Sequence, residues 1–522
     1  EFFRRKWWGY RQDQLSTTHP IAGEVEDTAK AESIFDGITY SKGAATMKQI
    51  LKIIGEEAFS KSMNEYFHKH EWKNTTLEDF ISSLQANYKP LNPTYPSDLS
   101  EWQKMWLQTA GLNELEPHWD PTKTSNKEKI VIKQSAARSD HPTLRTHKLK
   151  IALFNSKAEV IHVIDTMIEP KEETIVEYDG SIGAKALLLN YEDEAFVKIR
   201  IDSTSLDFLK QNLKLVPDEF TRSIVWRALW DMVRDGHLST LGFVDVASNA
   251  IFDETSDVNL TNILQFASGS IQSFTPKKAR DLLNFKLFTL VHALLLETDP
   301  ANKNRTTLLL NELLTFATNG YHLEQMVAWL DEKHPTLGKY KLSLSNAWII
   351  VRRVQKSKKF DQETKARVFE LMKKRDPSDN AKKYTIEFEA LAVPSEEKEK
   401  WWKNYQKQGE LSVHMSGASM RGFVAGCQGD EAKPFHDDFF KVVLSVFQNN
   451  RPEYAEEFYD NLFPNGEDLE TYLEKAKKLL SEIDQKVEFR LATHLKESID
   501  GLQRQLKCYE YFKNDLFSAK LQ

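Results

Sequence analysis

The sequence predicts a mostly α protein with a small β-sandwich set between two helical parts. Three observations carry that expectation. Apolar residues recur at spacings of three and four up to about residue 116, an alternation of period two takes over to about residue 201, and helical periodicity returns after Asp202 and runs nearly to the C-terminus. At 522 residues the chain is long enough for two to four domains with ample cores.

In chain order, residues 1–14, rich in Arg, Lys and Trp, read as a helix. Residues 34–43 place Tyr40 on a glycine-bounded turn between Gly37 and Gly43, directly before an amphipathic helix. Met47, Ile50, Leu51, Ile54 and Phe59 fall at helical spacing and should form one stripe beneath that turn. A phenol on so rigid a support can donate a hydrogen bond to an oxygen that gains charge during a reaction, and Tyr40 is the candidate catalytic group. The alternative is a buried tyrosine whose hydroxyl finds a backbone partner. Asn74, Thr75 and Thr76 followed by Glu78 and Asp79 signal a helix start, and Pro90, Pro93 and Pro96 mark a loop before a helix that ends near Trp106 to Thr109.

From there, β-branched or alternating runs at 130–133, 149–153, 160–164, 174–178, 186–189 and 196–201 are separated by Asp, Gly, Pro and Lys clusters, which is the pattern of a sandwich of six or seven short strands. Beyond Asp202, prolines at 217, 276, 335, 394, 434, 452 and 464 punctuate a long helical series. Residues 282–297 are apolar almost all round, so that helix should lie inside a layered array. Unequal spacings without a repeated motif point to an irregular α-superhelix with a concave face.

Charged residues make up 28% of the chain, yet the net charge is only -7, a balance with no general attraction for nucleic acid. No run of eighteen apolar residues occurs that would span a membrane. Cys427 and Cys508 are too few for a disulfide framework and read as free buried thiols, which favours a reducing compartment and a cytoplasmic location. His68 and His70 sit two positions apart, so on a helix their rings diverge and a solvated helix end is the simpler reading. Trp7 with Trp8 and Trp401 with Trp402 read as packing between domains, and His19-Pro20 as a shaped turn. Residues 396–400 form a solvated charged face.

Ordered blocks of residues resemble the aminopeptidase N family of zinc metallopeptidases, the gluzincin aminopeptidases. They include Ser16 to Ile21, the 34–43 segment with Tyr40, and Gly55, Phe59, Tyr66, Asn74, Thr76, Asp79 and Phe80. Trp106 to Gly111 and His141 to Arg145 resemble forms typical of actinobacterial aminopeptidase N, and Leu188 to Asn190, Lys198 to Arg200, Trp226 and Trp230 to Gly236 continue in order. The resemblance implies the helical half of a thermolysin-like catalytic domain at 1–115, a small β-sandwich at 116–204 and an α-superhelical C-terminal domain at 205–522. It also implies zinc-assisted removal of N-terminal residues from peptides, with Tyr40 stabilising the oxyanion.

The metal site of such enzymes needs His-Glu-x-x-His on one helix. The only His-Glu pair is His70-Glu71, with Asn74 where the second histidine would stand, and none of the fourteen histidines has another four residues later. By the resemblance, zinc is bound by residues upstream of this chain, which should be inactive alone. The expected partners are peptide substrates and a zinc-bearing N-terminal portion or separate chain, the polypeptide having been processed, split or cut. The rival reading is a non-catalytic, aminopeptidase-like scaffold that binds proteins through its helical superhelix.

Overall fold

The computed structural model describes residues 2–23, 28, 34–90, 95–427 and 429–521. The fold is mostly α with a small β-sandwich and a long helical series after it, as the sequence predicts. The chain divides into two compact units, Glu1–Leu238 with Asp245–Ile263, and Ser239–Val244 with Leu264–Gln522.

The first unit opens with the helix Phe2–Asp13, a π-helical turn Ile38–Lys42, and the helices Gly43–Ile54, Glu56–Lys69, Leu77–Gln85 and Leu99–Leu107. The expected helix start at 74–79 is a reciprocal cap: Thr76 accepts from the Asp79 amide and the Asp79 carboxylate accepts from the Thr76 amide, so two otherwise orphaned donors are met. The single stripe read through Phe59 is broken. Gly55, at a φ of 89°, ends the helix Gly43–Ile54, and Phe59 belongs to the next helix. Both still serve one core, in which Ile50, Ile53, Ile54, Leu84, Trp102 and Trp106 are buried and Met47 and Phe59 pack against them. Pro90 and Pro96 lie in irregular backbone as expected, while Pro93 lies outside the described residues.

The sandwich has seven strands: β1 Asn113–His118, β2 Glu128–Ala136, β3 His147–Phe154, β4 Val160–Ile168, β5 Glu173–Tyr178, β6 Ala186–Tyr191 and β7 Lys198–Ile199. One sheet has the order β5-β2-β1-β7 and the other β4-β3-β6. All pairings are antiparallel except that of β1 with β7, which is parallel. The sequence reading missed β1, because its buried face is Asn113, Leu115 and Pro117, with no β-branched residue to mark it, while Glu114 and Glu116 turn outward to Arg200. The expected strand at 196–201 shortens to two residues.

Arg145 joins helices to sandwich. It is buried and donates to the carbonyls of Met105 at 3.0 Å, Thr143 at 3.3 Å, Thr109 at 3.2 Å and Ala110 at 2.9 Å, to the Thr109 hydroxyl at 2.8 Å and to Asn113 Oδ1 at 3.4 Å. Its guanidinium also lies over the Trp106 ring. Burial pulls its pKa down to about 10, with the charge of Asp13 opposing, so it stays a cation. Next to it Gly111 turns the chain at a φ of 93°, and a Cβ there would stand 2.9 Å from that of His141. The Trp106–Gly111 and His141–Arg145 stretches are thus two faces of one joint.

The second unit is a succession of helices from Lys277–Glu297 to Phe489–Leu521. One of its cores gathers Trp402, Phe423, Phe439, Tyr454, Phe458 and Tyr459. Helix starts at Pro276, Pro434 and Pro452 follow the proline signals. The helix Lys277–Glu297 departs from expectation. Leu283, Leu287, Phe288, Val291, Leu294 and Leu295 are buried, but Leu282 is 71% exposed, and Phe285 and Leu296 are exposed too. A helix in an outer layer meets neighbours along one stripe only, whatever the composition of its far side. Trp402 packs inside this core rather than between domains. Cys427 and Cys508 are buried and form no disulfide, and burial pushes the Cys427 thiol up to about 11.

Replacing Arg145 by Lys keeps a cation but removes the planar fork that reaches several acceptors at once. Arg145→Lys should lower the stability of the first unit by about 2–4 kcal/mol, read as a shifted urea midpoint by tryptophan fluorescence. An unchanged midpoint would remove Arg145 from its place as the joint.

Candidate functional site

Tyr40 stands on the turn that links two helices of the first unit. The amide of Gly43 reaches the carbonyl of Ile38, five residues back, which is the π-helical pattern, and the backbone then passes without a break into the helix Gly43–Ile54. Tyr40 is 53% exposed, and no hydrogen bond from its hydroxyl exists among the described residues. The alternative of a buried tyrosine with a backbone partner is therefore set aside. Its ring lies 6.4 Å from that of Trp8 with planes 10° apart, and 6.1 Å from that of Phe35. Trp8, read from sequence as interdomain packing, instead flanks Tyr40.

The turn is held at its start by three side chains. Asp36 Oδ1 accepts from the amides of Ile38 at 2.9 Å and Thr39 at 3.0 Å, which meets donors that a helix start leaves open. Gln12 accepts from the amide of Gly37. Helix and turn come so close there that a Cβ on Gly37 would lie 2.6 Å from the carbonyl carbon of Trp8. Third, His19 bridges outward: its Nε2 is 3.1 Å from Asp36 Oδ2 and its Nδ1 is 2.9 Å from the carbonyl of Pro20. A carbonyl and a carboxylate can only accept, so satisfying both requires a proton on each ring nitrogen, which is the imidazolium. Burial works against that charge, but the Asp36 carboxylate and the Pro20 carbonyl outweigh it, and the His19 pKa is raised. The His19-Pro20 turn is thus a clamp on the turn that bears Tyr40.

The far end of the turn points inward. Lys42 is wholly buried and meets Asp13 and the backbone of Gly111. Sequence reading passed over both Lys42 and Asp13. A lysine in an otherwise apolar register just before a buried helix face, preceded by a lone aspartate at the end of a helix, is the signal that was there to find.

Zinc, the metal that the resemblance implies, requires a cluster of ligands. Among the described residues no group of three or more His, Cys, Asp or Glu side chains stands where it could hold a metal ion. His68 ends the helix Glu56–Lys69 on an exposed face, and His70 follows it with its ring against Tyr66. The described residues do not fit the ion. No described helix is long and apolar enough to cross a membrane.

The clamp has a pH signature with a definite sign. A pKa raised in the folded state gives stability that is complete below the unfolded value near 6.5 and is lost as pH rises through the folded value. His19→Gln should therefore cost about 1 kcal/mol at pH 5.5 and clearly less at pH 8.5, measured as paired urea midpoints. Equal costs at both pH values would refute the charged clamp.

Two family models match the chain: one described as the ERAP1-like C-terminal domain over residues 186–504, the other as the peptidase family M1 domain over residues 3–106. Aminopeptidase N of Streptomyces lividans is 26% identical over 514 residues, covering 96% of this chain and 58% of that protein. The tricorn protease-interacting factor F2 of Thermoplasma volcanium is 23% identical over 47% of this chain and 28% of its own length. Aminopeptidase M1 of Arabidopsis thaliana is 34% identical over 105 residues, 20% of this chain and 12% of that protein. The chain thus spans well under two thirds of the length of each of these relatives. The ERAP1-like model covers more than half of the sequence, the M1 model covers the segment that bears Tyr40, and the chain belongs to the aminopeptidase N family through its ERAP1-like C-terminal domain.

Proposed function

We propose that this chain is part of a zinc aminopeptidase that removes N-terminal residues from peptides, and that its own contribution to the chemistry is the phenol of Tyr40. The observation that carries the reading is an exposed tyrosine, its hydroxyl without a hydrogen bond among the described residues, on a π-helical turn clamped by Asp36 and His19. A donor fixed before the reaction begins loses little in reorganisation when charge develops on the scissile carbonyl oxygen. Tyr40 O–H donates to that oxyanion and keeps its proton throughout. Aminopeptidase names among the relatives support the class.

In this reading a zinc ion would be held by residues of the complete protein upstream of this chain and would supply the activation of water, so that this chain by itself is inactive. The partners are peptide substrates and that zinc-bearing portion. Residues 1–115 are the helical half of a thermolysin-like domain, 116–204 the sandwich and 205–522 the α-superhelical domain. Two buried cysteines that form no disulfide support a cytoplasmic location.

Tyr40→Phe in the complete enzyme should lower turnover ~100- to 1,000-fold while KM for an aminoacyl-nitroanilide changes little. Unchanged turnover would sink the assignment. Hydrolysis of the same substrate by this chain alone, above the rate of its buffer, would sink the division of labour.

A further inference from the structure

We propose that Lys42 is a positioning residue for Tyr40: its buried ammonium ties the exit of the π-helical turn to Asp13 and Gly111 and so fixes where the phenol points. The proposal rests on the reading of Tyr40 as the reacting group. Lys42 Nζ lies 2.9 Å from Asp13 Oδ2, 3.2 Å from Asp13 Oδ1 and 3.1 Å from the Gly111 carbonyl. Asp13 Oδ1 also accepts from the Thr18 hydroxyl at 2.8 Å and the Gly111 amide at 3.2 Å. Both charged side chains are wholly buried.

Why a charged pair stands there is the telling question. A methionine has nearly the volume of a lysine and carries no desolvation cost, and replacing a buried ion pair by apolar groups is often neutral or stabilising. Burial indeed drags the Lys42 pKa down to about 8 against the pull of Asp13, with Arg145 adding to the decrease and Asp36 opposing it. Packing alone thus gives no reason for the pair. What it supplies is direction. An apolar side chain would let the turn slide or rotate, whereas the ammonium accepts one arrangement of three oxygens. Those oxygens belong to the end of the helix Phe2–Asp13 and to the joint braced by Arg145. Lys42 stands two positions after Tyr40 within a five-residue turn, so a shift at one is passed to the other.

The complete enzyme tests this by a double-mutant cycle. Lys42→Met should lower turnover about 100-fold with KM within about twofold, the loss expected when a reacting group moves by about 1 Å. In a Tyr40→Phe background the same change should cost less than about threefold, because the group through which Lys42 acts is gone. An equal loss in both backgrounds would overturn the proposal and leave Lys42 as general support. So would no loss in the Tyr40 enzyme.

Should Tyr40→Phe itself leave turnover intact, the reading of Tyr40 fails, and fluorine NMR of the full chain then decides the positioning separately. With 3-fluorotyrosine at position 40 or, as a control in the core of the first unit, at Tyr88, Lys42→Met should shift the first resonance by more than its linewidth and leave the second in place. Both resonances moving, or neither, counts against the proposal. If Lys42→Met fails to fold, Thr18→Val, which removes one bond to Asp13, serves in its place: the position-40 resonance must move, and a still one overturns the idea.

Discussion

A cation taken out of water has to find acceptors whose positions do not change, and the first unit is organised around that constraint. Arg145 spends its donors on the carbonyls of Met105, Thr109, Ala110 and Thr143. Those of Met105, Thr109 and Ala110 belong to the end of a helix and to the bend that follows it, and that of Thr143 to the irregular stretch before β3, groups that no regular ladder would satisfy. Through that one side chain the bend at Gly111 becomes rigid. Lys42 and Asp13 then use the bend as their anchor. Lys6 repeats the device, with Asp193 at 2.7 Å and the carbonyl of Ala195 at 2.5 Å. Hydrophobic burial holds these helices against the sandwich, but it is the buried charges that set their register.

One extra residue in a helical turn swings the following side chains around the axis relative to those before it. Here the swing lets Tyr40 face outward between Trp8 and Phe35 while Lys42 faces fully inward. An exposed group and a buried anchor two residues apart give a phenol that is accessible and yet held. The charged His19 on the outer side and the charged Lys42 on the inner side grip the same five residues from opposite ends.

Much of this was legible in the sequence, for identifiable reasons. The Thr76 cap, the proline-marked helix starts and the strands from β2 to β6 rest on local chemistry, which the chain carries in short windows. Tyr40 stood out because its flanks are unusual. Features that depend on what lies across the fold did not show. β1 buries Asn113, Leu115 and Pro117 and turns two glutamates outward, so its apolar alternation is faint. The helix Lys277–Glu297 looked interior because composition cannot tell an inner layer from an outer one. Trp8 beside Tyr40, and Asp13 beneath it, are long-range neighbours, and a buried lysine reads in sequence like any other lysine.

The parallel pairing of β1 with β7 and the bond from Lys6 to Asp193 also set a timetable. The two side chains of that bond are 187 residues apart, and Tyr10 reaches the backbone of Val197 across the same interval. Gln12 and Asp13 find partners within residues 37–111, but the side of the first helix that carries Lys6 and Tyr10 has none until the last edge of the sandwich has been made. At ~5–20 residues per second on a ribosome, that is a wait of about 10–40 s with that side uncovered. Arg and Lys residues along that helix then have a second use: they keep an early, unseated segment in solution until the strand that receives it arrives.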